Sequence, residues 1–406
     1  MHLSSLFWIG PENSYIRCKL IYISLAAKMK SLLSLFLFAC LTIYPSFGKK
    51  ISPADKKATK ETISLYRSLY ELQNKGVMYG HQDDLMYGST WWYVKDRSDT
   101  KDFTGDYPAV AGFELGHLEL GHERSLDSVS FAQIAEQIKI HYKRGGVITI
   151  SWHADNPLTM QDPASKTRRQ GGTAWDVTSK EVVASILPGG KNHEMFNAWL
   201  ERLATFFKEL KDDDGTPIPF IFRPYHEHSG SFFWWGTDIC TDQQYSDLWR
   251  YTVRYLRDKK KIHNILYAYN TDRVTSLEQY MRGYPGDDVI DMLSLDMYDR
   301  GEKFGGELDN ALGFVTQEAI KRNKLTALSE TGGRRGMSNW WSSVLLPVVS
   351  KYPVGYVLTW RHAFRPRFAM SGNPNQPFPD DFMNFYKSPR TLFLKEIQEV
   401  NIYKRK

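Results

Sequence analysis

Eight short apolar runs, each followed by an amphipathic segment, constrain the fold of this chain more than any other feature. They predict β-strands because they are rich in β-branched and aromatic residues. The runs lie at 76–80, 108–113, 146–152, 218–224, 264–269, 289–296, 325–330 and 354–360. Apolar strands that alternate with helices are typical of parallel sheets covered by helices. The pattern therefore predicts an α/β fold of the (β/α)8 TIM-barrel type rather than an open sheet.

Between the runs, apolar residues recur with the period of a helix. In the segment 193–211, one helical face carries Phe196, Trp199, Leu200, Leu203, Phe206, Phe207 and Leu210. The segments 241–258, 308–320 and 341–349 show the same pattern. These stripes indicate core packing, and no repeat or linker in the sequence marks a second domain. We predict a single domain over residues 49–406.

The N-terminal region resembles a targeting segment. Met29-Lys30 precedes the apolar stretch "SLLSLFLFACLTIYPSFGKK", which has the basic start, short apolar run and small residues of a secretory signal. The interpretation is a signal peptide at 29–48, an upstream extension at 1–28 and an exported protein, periplasmic or extracellular. Alternatively, Cys40 is the acylated residue of a lipoprotein. Without the leader only Cys240 remains, so no internal disulfide is expected.

Composition excludes several classes of partner. The net charge of +6 on 406 residues is too balanced for a nucleic-acid-binding protein. No glycine-rich phosphate-binding motif is present, so no nucleotide or other cofactor is expected. Aromatic residues make up 14% of the chain, and flat apolar faces edged with polar groups suit sugar rings. Composition therefore raises the expectation of a carbohydrate ligand.

Polar side chains gather at the C-terminal ends of the predicted strands, where barrels build their active sites. They are His81, Asp83, Glu114, His117, His153, His226, Glu227, Asn270, Asp296, Tyr298, Glu330, Trp360 and His362. Two glutamates stand out, Glu227 after strand four and Glu330 after strand seven. Each alone could be a salt-bridged structural carboxylate. Two carboxylates facing each other across a barrel mouth are the arrangement that glycosidases use.

Three motifs give the chain a specific resemblance: "GGVITISWHADNP" (145–157), "RPYHEHSGSFFWWG" (223–236) and "LSETGG" (328–333). The segments "SLDMYD" (294–299) and "LTWRH" (358–362) support it. With these motifs the sequence resembles glycoside hydrolase family 26, of the β-mannanase type. The resemblance implies a retaining β-1,4-mannanase that cleaves mannan, glucomannan or galactomannan through a covalent glycosyl-enzyme, with endo or mannobiose-releasing action left open.

The same resemblance implies roles for individual residues. Glu227 would be the general acid/base and Glu330 the nucleophile. The subsite of the cleaved sugar would be lined by His153, His226, Tyr298 and Trp360. We predict further substrate contacts for Trp152, Phe232, Trp234, Trp235, Asp296 and Arg361. Many relatives have tryptophan where this chain has Phe232, so stacking in the leaving-group half of the cleft is expected to differ.

The assigned roles require opposite protonation states. Glu227 must hold a proton near neutral pH, and burial by Phe233, Trp234 and Trp235 together with the charge of Glu330 would raise its pKa. Glu330 must stay ionised and needs hydrogen-bond donors. Tyr298 and Arg223 are candidates, although Arg223 could equally be a buried strut beneath the strand.

Several alternatives remain open from sequence. A family 26 relative could act on β-1,3-xylan or mixed-linkage glucan. A metal-dependent hydrolase would need a cluster drawn from His81, His117, His153, His226, His228 and Asp296. Paired-histidine and cysteine ligand motifs are lacking, so no metal is expected. A glycan-binding barrel without activity would lack one glutamate, and both are present. The expected partner is a β-mannan or its oligosaccharides, and the protein is expected to be monomeric.

Two predicted loops are much longer than is usual for this fold, at 155–192 and 361–386. Both would leave the same face of the barrel, and they carry Arg168, Arg169, Arg361, Arg365 and Arg367. They are either solvated additions or walls of the glycone side of the cleft. Walls would admit only a short glycone, so mannobiose would be the dominant product.

Overall fold

Eight parallel strands close into a barrel in the computed structural model, which describes residues 51–160, 171–334, 337–362, 368–369 and 379–404. The strands are β1 (Val77–Gln82), β2 (Val110–Glu114), β3 (Val147–Trp152), β4 (Phe220–Pro224), β5 (Ile265–Thr271), β6 (Met292–Tyr298), β7 (Leu325–Arg334) and β8 (Tyr356–Thr359). They pair in sequence order, and β1 pairs with β8 to close the ring. The predicted (β/α)8 barrel is confirmed.

Helices surround the strands. They are α1 (Lys60–Leu72), α2 (Asp99–Thr104), α3 (Phe131–Lys143), α4 (Val182–Ile186), α5 (His193–Glu209), α6 (Asp242–Val253), α7 (Leu277–Tyr280), α8 (Phe304–Arg322), α9 (Leu346–Val349), α10 (Pro379–Tyr386) and α11 (Leu394–Val400). The apolar stripe of α5 is buried, as predicted. A 3-10 helix covers Leu118–Leu120, and π-helical turns cover Arg254–Lys259 and Trp341–Leu345. Within the described ranges, no helix combines the length and apolar character needed to cross a membrane.

Several strands extend beyond their predicted ends. β7 runs to Arg334 because β9 (Phe368–Ala369) pairs with its last two residues, and because Tyr298 of β6 pairs with Gly332. A second short strand, β10 (Thr391–Leu392), pairs with the start of β1. Glu330 therefore lies inside a hydrogen-bonded strand and not in a loop, which fixes its backbone.

Helix α1 packs against the N-terminal ends of the strands. Its Tyr66 shares a buried cluster with Leu266, Met292 and Leu325, and the Tyr66 hydroxyl donates to the Asn323 carbonyl at 2.6 Å. This end of the barrel is therefore covered. The C-terminal mouth is left for a site, as the fold requires.

The compact unit that contains the barrel comprises Ile51–Lys406. The predicted extension at 1–28, the predicted signal peptide at 29–48 and Cys40 all lie outside the described residues.

Candidate active site

Glu227 follows β4 in an unusual backbone conformation. Its φ is 53° and that of Tyr225 is 47°, both in the left-handed region that costs a non-glycine residue about 1–3 kcal/mol. The Glu227 N–H donates to Asn270 Oδ1 at 2.9 Å, which ties the turn to the end of β5. Strain of this kind persists where surrounding structure holds it, and here the turn places the Glu227 carboxyl over the mouth of the barrel.

Glu330, on β7, accepts hydrogen bonds from two sides. Arg223 Nη2 lies 2.5 Å from Glu330 Oε1, and the Tyr298 hydroxyl donates to Glu330 Oε2 at 2.7 Å. Both donors proposed from the sequence are therefore in place. Arg223 also has the structural role considered as the alternative, since it is buried beneath the site and its Nη1 donates to Asp296 Oδ2 at 2.6 Å. These hydrogen bonds, one of them charge-assisted, fix the position of the Glu330 carboxyl group.

The two glutamates are close together. Oxygens of Glu227, Asp296 and Glu330 all lie within 4.8 Å of one another. Burial raises the pKa of Glu227 well above its ordinary value, and the charges of Glu330 and Asp296 raise it further. Arg223 opposes this shift in pKa but does not reverse it. The site thus holds one carboxyl that favours its proton beside one that is held by a guanidinium and a phenol.

A second network joins the ends of β2, β3 and β4. Glu114 accepts from the backbone N–H of His153 at 2.8 Å, lies 2.8 Å from His153 Nδ1 and accepts from Ser151 Oγ at 2.6 Å. Burial alone would raise the pKa of Glu114, but His153 outweighs burial and lowers this pKa to about 2. His153 Nε2 in turn lies 3.0 Å from His226 Nε2. Burial, followed by the neighbouring His153 and Arg223, lowers the pKa of His226 well below its usual value.

Four residues predicted to contact the substrate have fully buried side chains: Trp152, Trp234, Trp235 and Asp296. Their direct contact with sugar stays a prediction. Each polar group has an internal partner. The indole N–H groups donate to Glu119 (from Trp152), to the Ala154 carbonyl (from Trp234) and to the His226 carbonyl (from Trp235). Buried indoles require such partners, and these rings support the site from behind.

The other predicted contacts lie at the mouth or next to it. Tyr298, Trp360, Arg361 and Phe232 are half-buried, while His153 and His226 are mostly buried. The Trp360 ring lies 5.8 Å from that of His153, which places β8 beside the network of β3 and β4. Contact of these six side chains with sugar stays a prediction.

Sequence reasoning missed Trp175. This half-buried ring, in the long loop after β3, stacks on His153 with centroids 5.2 Å apart and planes at 25°. It also lies 5.6 Å from Phe233. The only signal in the sequence was an aromatic residue within a loop already judged too long to be a simple connection.

The histidines considered for a metal-dependent hydrolase do not form one cluster. His153 and His226 are adjacent, whereas His228 lies 3.0 Å from the Asn270 carbonyl and stacks on Tyr245. His117 lies beside His122. In the described part of the chain, two other groups bring three ligand atoms together: His81, Asp84 and His362, and the carboxylates Glu227, Asp296 and Glu330. Protein hydrogen bonds or ion pairs already engage Asp84 in the first group, and Asp296 and Glu330 in the second.

A parallel barrel with paired glutamates at the C-terminal ends of β4 and β7 has the architecture of glycoside hydrolases that act with two carboxylates. Comparisons with known proteins agree with this class. The sequence model of Glycosyl hydrolase family 26 matches residues 54–368. This chain belongs to glycosyl hydrolase family 26.

Solved structures of the family resemble this one closely. A GH26 beta-mannanase from Bacteroides ovatus, BoMan26A, has a TM-score of 0.80 at 42% identity, covering 86% of this chain and 98% of that one. A modular endo-beta-1,4-mannanase from Cellulomonas fimi has a TM-score of 0.76 at 32% identity, covering 87% and 80%.

Curated relatives are named mannan endo-1,4-beta-mannosidases. The one from Bifidobacterium adolescentis is 34% identical over 303 residues, which are 71% of this chain but only 28% of that relative. The one from Bacillus subtilis is 23% identical over 336 residues, covering 80% of this chain and 84% of its own length. The chain thus spans less than a third of the Bifidobacterium relative.

Proposed function

We propose that this protein is a retaining β-1,4-mannanase that hydrolyses mannan, glucomannan or galactomannan through a covalent glycosyl-enzyme. One observation carries the proposal: carboxylate oxygens of Glu227 and Glu330 lie within 4.8 Å of each other at the barrel mouth. Inverting enzymes separate their carboxyl groups by roughly 6.5–9.5 Å to accommodate a water, and retaining enzymes by about 5–5.5 Å. The short separation favours direct attack by one carboxylate.

In the first half-reaction, Glu330 attacks the anomeric carbon of the sugar in the cleavage subsite. The bond from that carbon to the glycosidic oxygen breaks, and its electron pair goes to the oxygen, which takes the proton of Glu227. The raised pKa of Glu227 favours the protonated form that this transfer needs. Hydrogen bonds from Arg223 and Tyr298 hold the attacking carboxylate in place.

In the second half-reaction, the Glu227 carboxylate takes a proton from a water molecule. The water oxygen attacks the anomeric carbon, the ester bond to Glu330 breaks, and Glu330 leaves as a carboxylate. Two inversions at one carbon give net retention. Glu227 regains its proton, so the site is ready for the next cycle.

Mannan is the proposed polymer because the family's curated and solved relatives named above are mannanases. β-1,3-xylan and mixed-linkage glucan are the alternatives within the family. A glycan-binding barrel without activity is third, since both glutamates are positioned and Glu330 keeps its two donors.

The test measures reducing ends released from mannan, glucomannan, galactomannan, β-1,3-xylan and lichenan. We expect the highest rate on a mannan, loss of measurable activity in Glu330→Gln, and an unchanged rate in Glu278→Gln, which alters an exposed glutamate on α7. NMR of the fresh product should show the β anomer. A highest rate on xylan or lichenan would contradict the substrate, and an initial α anomer would contradict retention.

We also propose that residues 29–48 direct export of the protein, on the basis of the sequence pattern alone. Expression in a bacterial host followed by N-terminal sequencing of the exported protein should find a new terminus near Lys49. Lipid labelling that disappears in Cys40→Ala would instead establish the lipoprotein alternative.

A further inference from the structure

The loop between β1 and α2 exposes an aromatic ring at the surface. Trp92 is 48% exposed, and only two other large hydrophobic residues in the described ranges, Val94 and Ile320, are exposed to a similar extent. Its neighbours Thr90, Lys95 and Asp96 are exposed and polar. Even with Val94 in the same loop, the exposed apolar surface is small and edged by these polar residues, unlike the extended patches typical of stable protein interfaces.

The exposed ring is held rigidly. Trp92 stacks on Tyr87 with centroids 4.9 Å apart and planes at 10°, and the two residues form an antiparallel backbone bridge. The Tyr93 N–H donates to the Met86 carbonyl at 2.9 Å, and the Gly88 N–H donates to the Trp91 carbonyl at 3.1 Å. Because Tyr87 covers one face of the indole, the exposure falls on the other face. Such a preorganised flat surface loses little entropy when a ligand stacks on it.

Tyr87 connects this ring to the mouth of the barrel. Its hydroxyl lies 3.3 Å from Asp83 Oδ2, at the end of β1, and 3.4 Å from Arg361 Nη1. Arg361 follows Trp360 at the end of β8, and its Nη2 pairs with Asp127 at 2.7 Å. The ring therefore lies on the β1–β8 side of the site, outward from Arg361.

The proposed mechanism indicates on which side of the cleaved bond Trp92 lies. The general acid Glu227 must touch the leaving-group oxygen, so the leaving sugars pass over the turn that follows it, where Phe232 is half-buried. The glycone then extends toward the opposite side of the mouth, which β1 and β8 form.

We propose that Trp92 stacks on a sugar of the glycone, beyond the subsites next to the cleaved bond, and so favours long β-mannan chains over short ones. This inference rests on the proposed function. The open indole face suits the apolar C–H face of a hexose ring, and Tyr87 fixes its orientation. The ligand class is a β-linked hexose chain.

The experiment compares wild type, Trp92→Ala and Val94→Ala on manno-oligosaccharides of increasing length and on mannan. In Trp92→Ala we expect a loss in kcat/KM that grows with chain length to roughly 3- to 10-fold on the longest substrates. Trp92→Tyr should restore part of that loss. Val94→Ala removes a similarly exposed apolar residue of the same loop, and its kcat/KM should match wild type at every length.

Three results would overturn the proposal: a loss of equal size at all lengths, no loss at any length, or the same loss in Val94→Ala. Melting temperatures identify any variant that is misfolded, and Trp92→Leu, which keeps apolar bulk without a flat ring, then replaces Trp92→Ala. Affinity electrophoresis of Glu330→Gln in mannan gels, with and without Trp92→Ala, gives a readout independent of catalysis. If wild type cleaves another β-glycan and not mannan, the proposed function fails. Oligosaccharides of that glycan, in increasing length, then test the role of Trp92 with the same variants.

Discussion

At the scale of single residues, Glu227 combines a strained backbone with a carboxyl group whose pKa is raised. Burial and the charge of Glu330 both raise its pKa. A general acid works in its protonated form, so its contribution to catalysis is present below the raised pKa and is lost as the pH rises through it. The fall in wild-type activity at high pH should therefore report on this residue.

Glu227→Ala is expected to slow turnover on mannan by about 10²–10⁴-fold, because proton donation to the leaving group is lost. The loss should be smaller on an aryl mannobioside with a good leaving group, which needs little protonation. When Glu227→Ala acts on that aryl substrate, its activity should no longer decline at high pH. Steady-state kinetics across pH check both points, with Glu278→Ala as the exposed control. Equal losses on both substrates would contradict an acid role.

Glu114 shows the opposite electrostatic behaviour. His153 lowers its pKa to about 2 in the folded protein, below the ordinary value of 4.5. The stabilisation is therefore fully present above the ordinary value and is lost as the pH falls toward 2. Through His153 this buried charge also fixes the ring that faces His226.

Glu114→Gln is expected to lower the free energy of unfolding by about 3 kcal/mol at pH 7, since a buried charged partner of His153 is removed. The difference from wild type should shrink between pH 5 and pH 3. Denaturant unfolding at several pH values measures it, and Glu209→Gln on the exposed face of α5 is the control. A difference that does not change with pH would mean that Glu114 is not the ionised partner.

At the scale of elements, most of the aromatic run in the turn after β4 is packed inside the protein. Phe233 and Trp235 stack at 4.5 Å and 16°, and Phe233 lies 5.1 Å from the His226 ring. Phe233 and Trp235 thus support the His226 ring, and the predicted contact of Trp234 or Trp235 with sugar stays a prediction. Only Phe232 in this run is half-buried.

Trp235→Ala is expected to lower the free energy of unfolding by about 3–5 kcal/mol, because it leaves a cavity behind the site. Phe232→Ala is the matched control from the same turn. It should cost much less stability while raising KM, as expected for a side chain in the leaving-group half. Thermal unfolding and kinetics of both variants separate the two effects. If Trp235→Ala kept its stability and only its KM rose, Trp235 would contact the substrate and would not be a packing residue.

At the scale of the whole molecule, the two long loops on the mouth side are not plain connections. The described part of the first contains α4, and that of the second contains β9 and α10. Arg361, at the start of the second loop, is tied to Asp127 after β2. Arg168, Arg169, Arg365 and Arg367 lie outside the described residues.

If these loops restrict the glycone side to a short chain, which would exclude a glycone sugar at Trp92, mannobiose should dominate the products of mannan from the first minutes of digestion. Chromatography of a time course measures this, and reducing-end labelling shows from which end the units are released. An early ladder of longer oligosaccharides, with mannobiose appearing late, would contradict restriction and indicate open endo action.

The strands could be predicted because an apolar run of fixed length is a local property of the chain. Their ends could not, since β7 extends to Arg334 only where β9 and β6 supply partners. Glu227 and Glu330 were recognisable because a carboxylate after a buried strand is costly unless it has a role. Trp175 and Trp92 were missed because both lie in loops, where sequence periodicity gives no direction to a side chain.

The sequence by itself determined the barrel, the end of the barrel that carries the site, and the two glutamates. Strand period, strand order and residue type are local properties that can be identified directly from the sequence. Only the tertiary structure decided which aromatic rings are accessible. Trp234, Trp235 and Trp92 are the same residue type near strand ends, yet two are fully buried and one is half exposed. The difference arises from the neighbours of each indole. Trp234 and Trp235 are enclosed by other rings and donate to backbone carbonyls, whereas Trp92 stacks on Tyr87 with one face only.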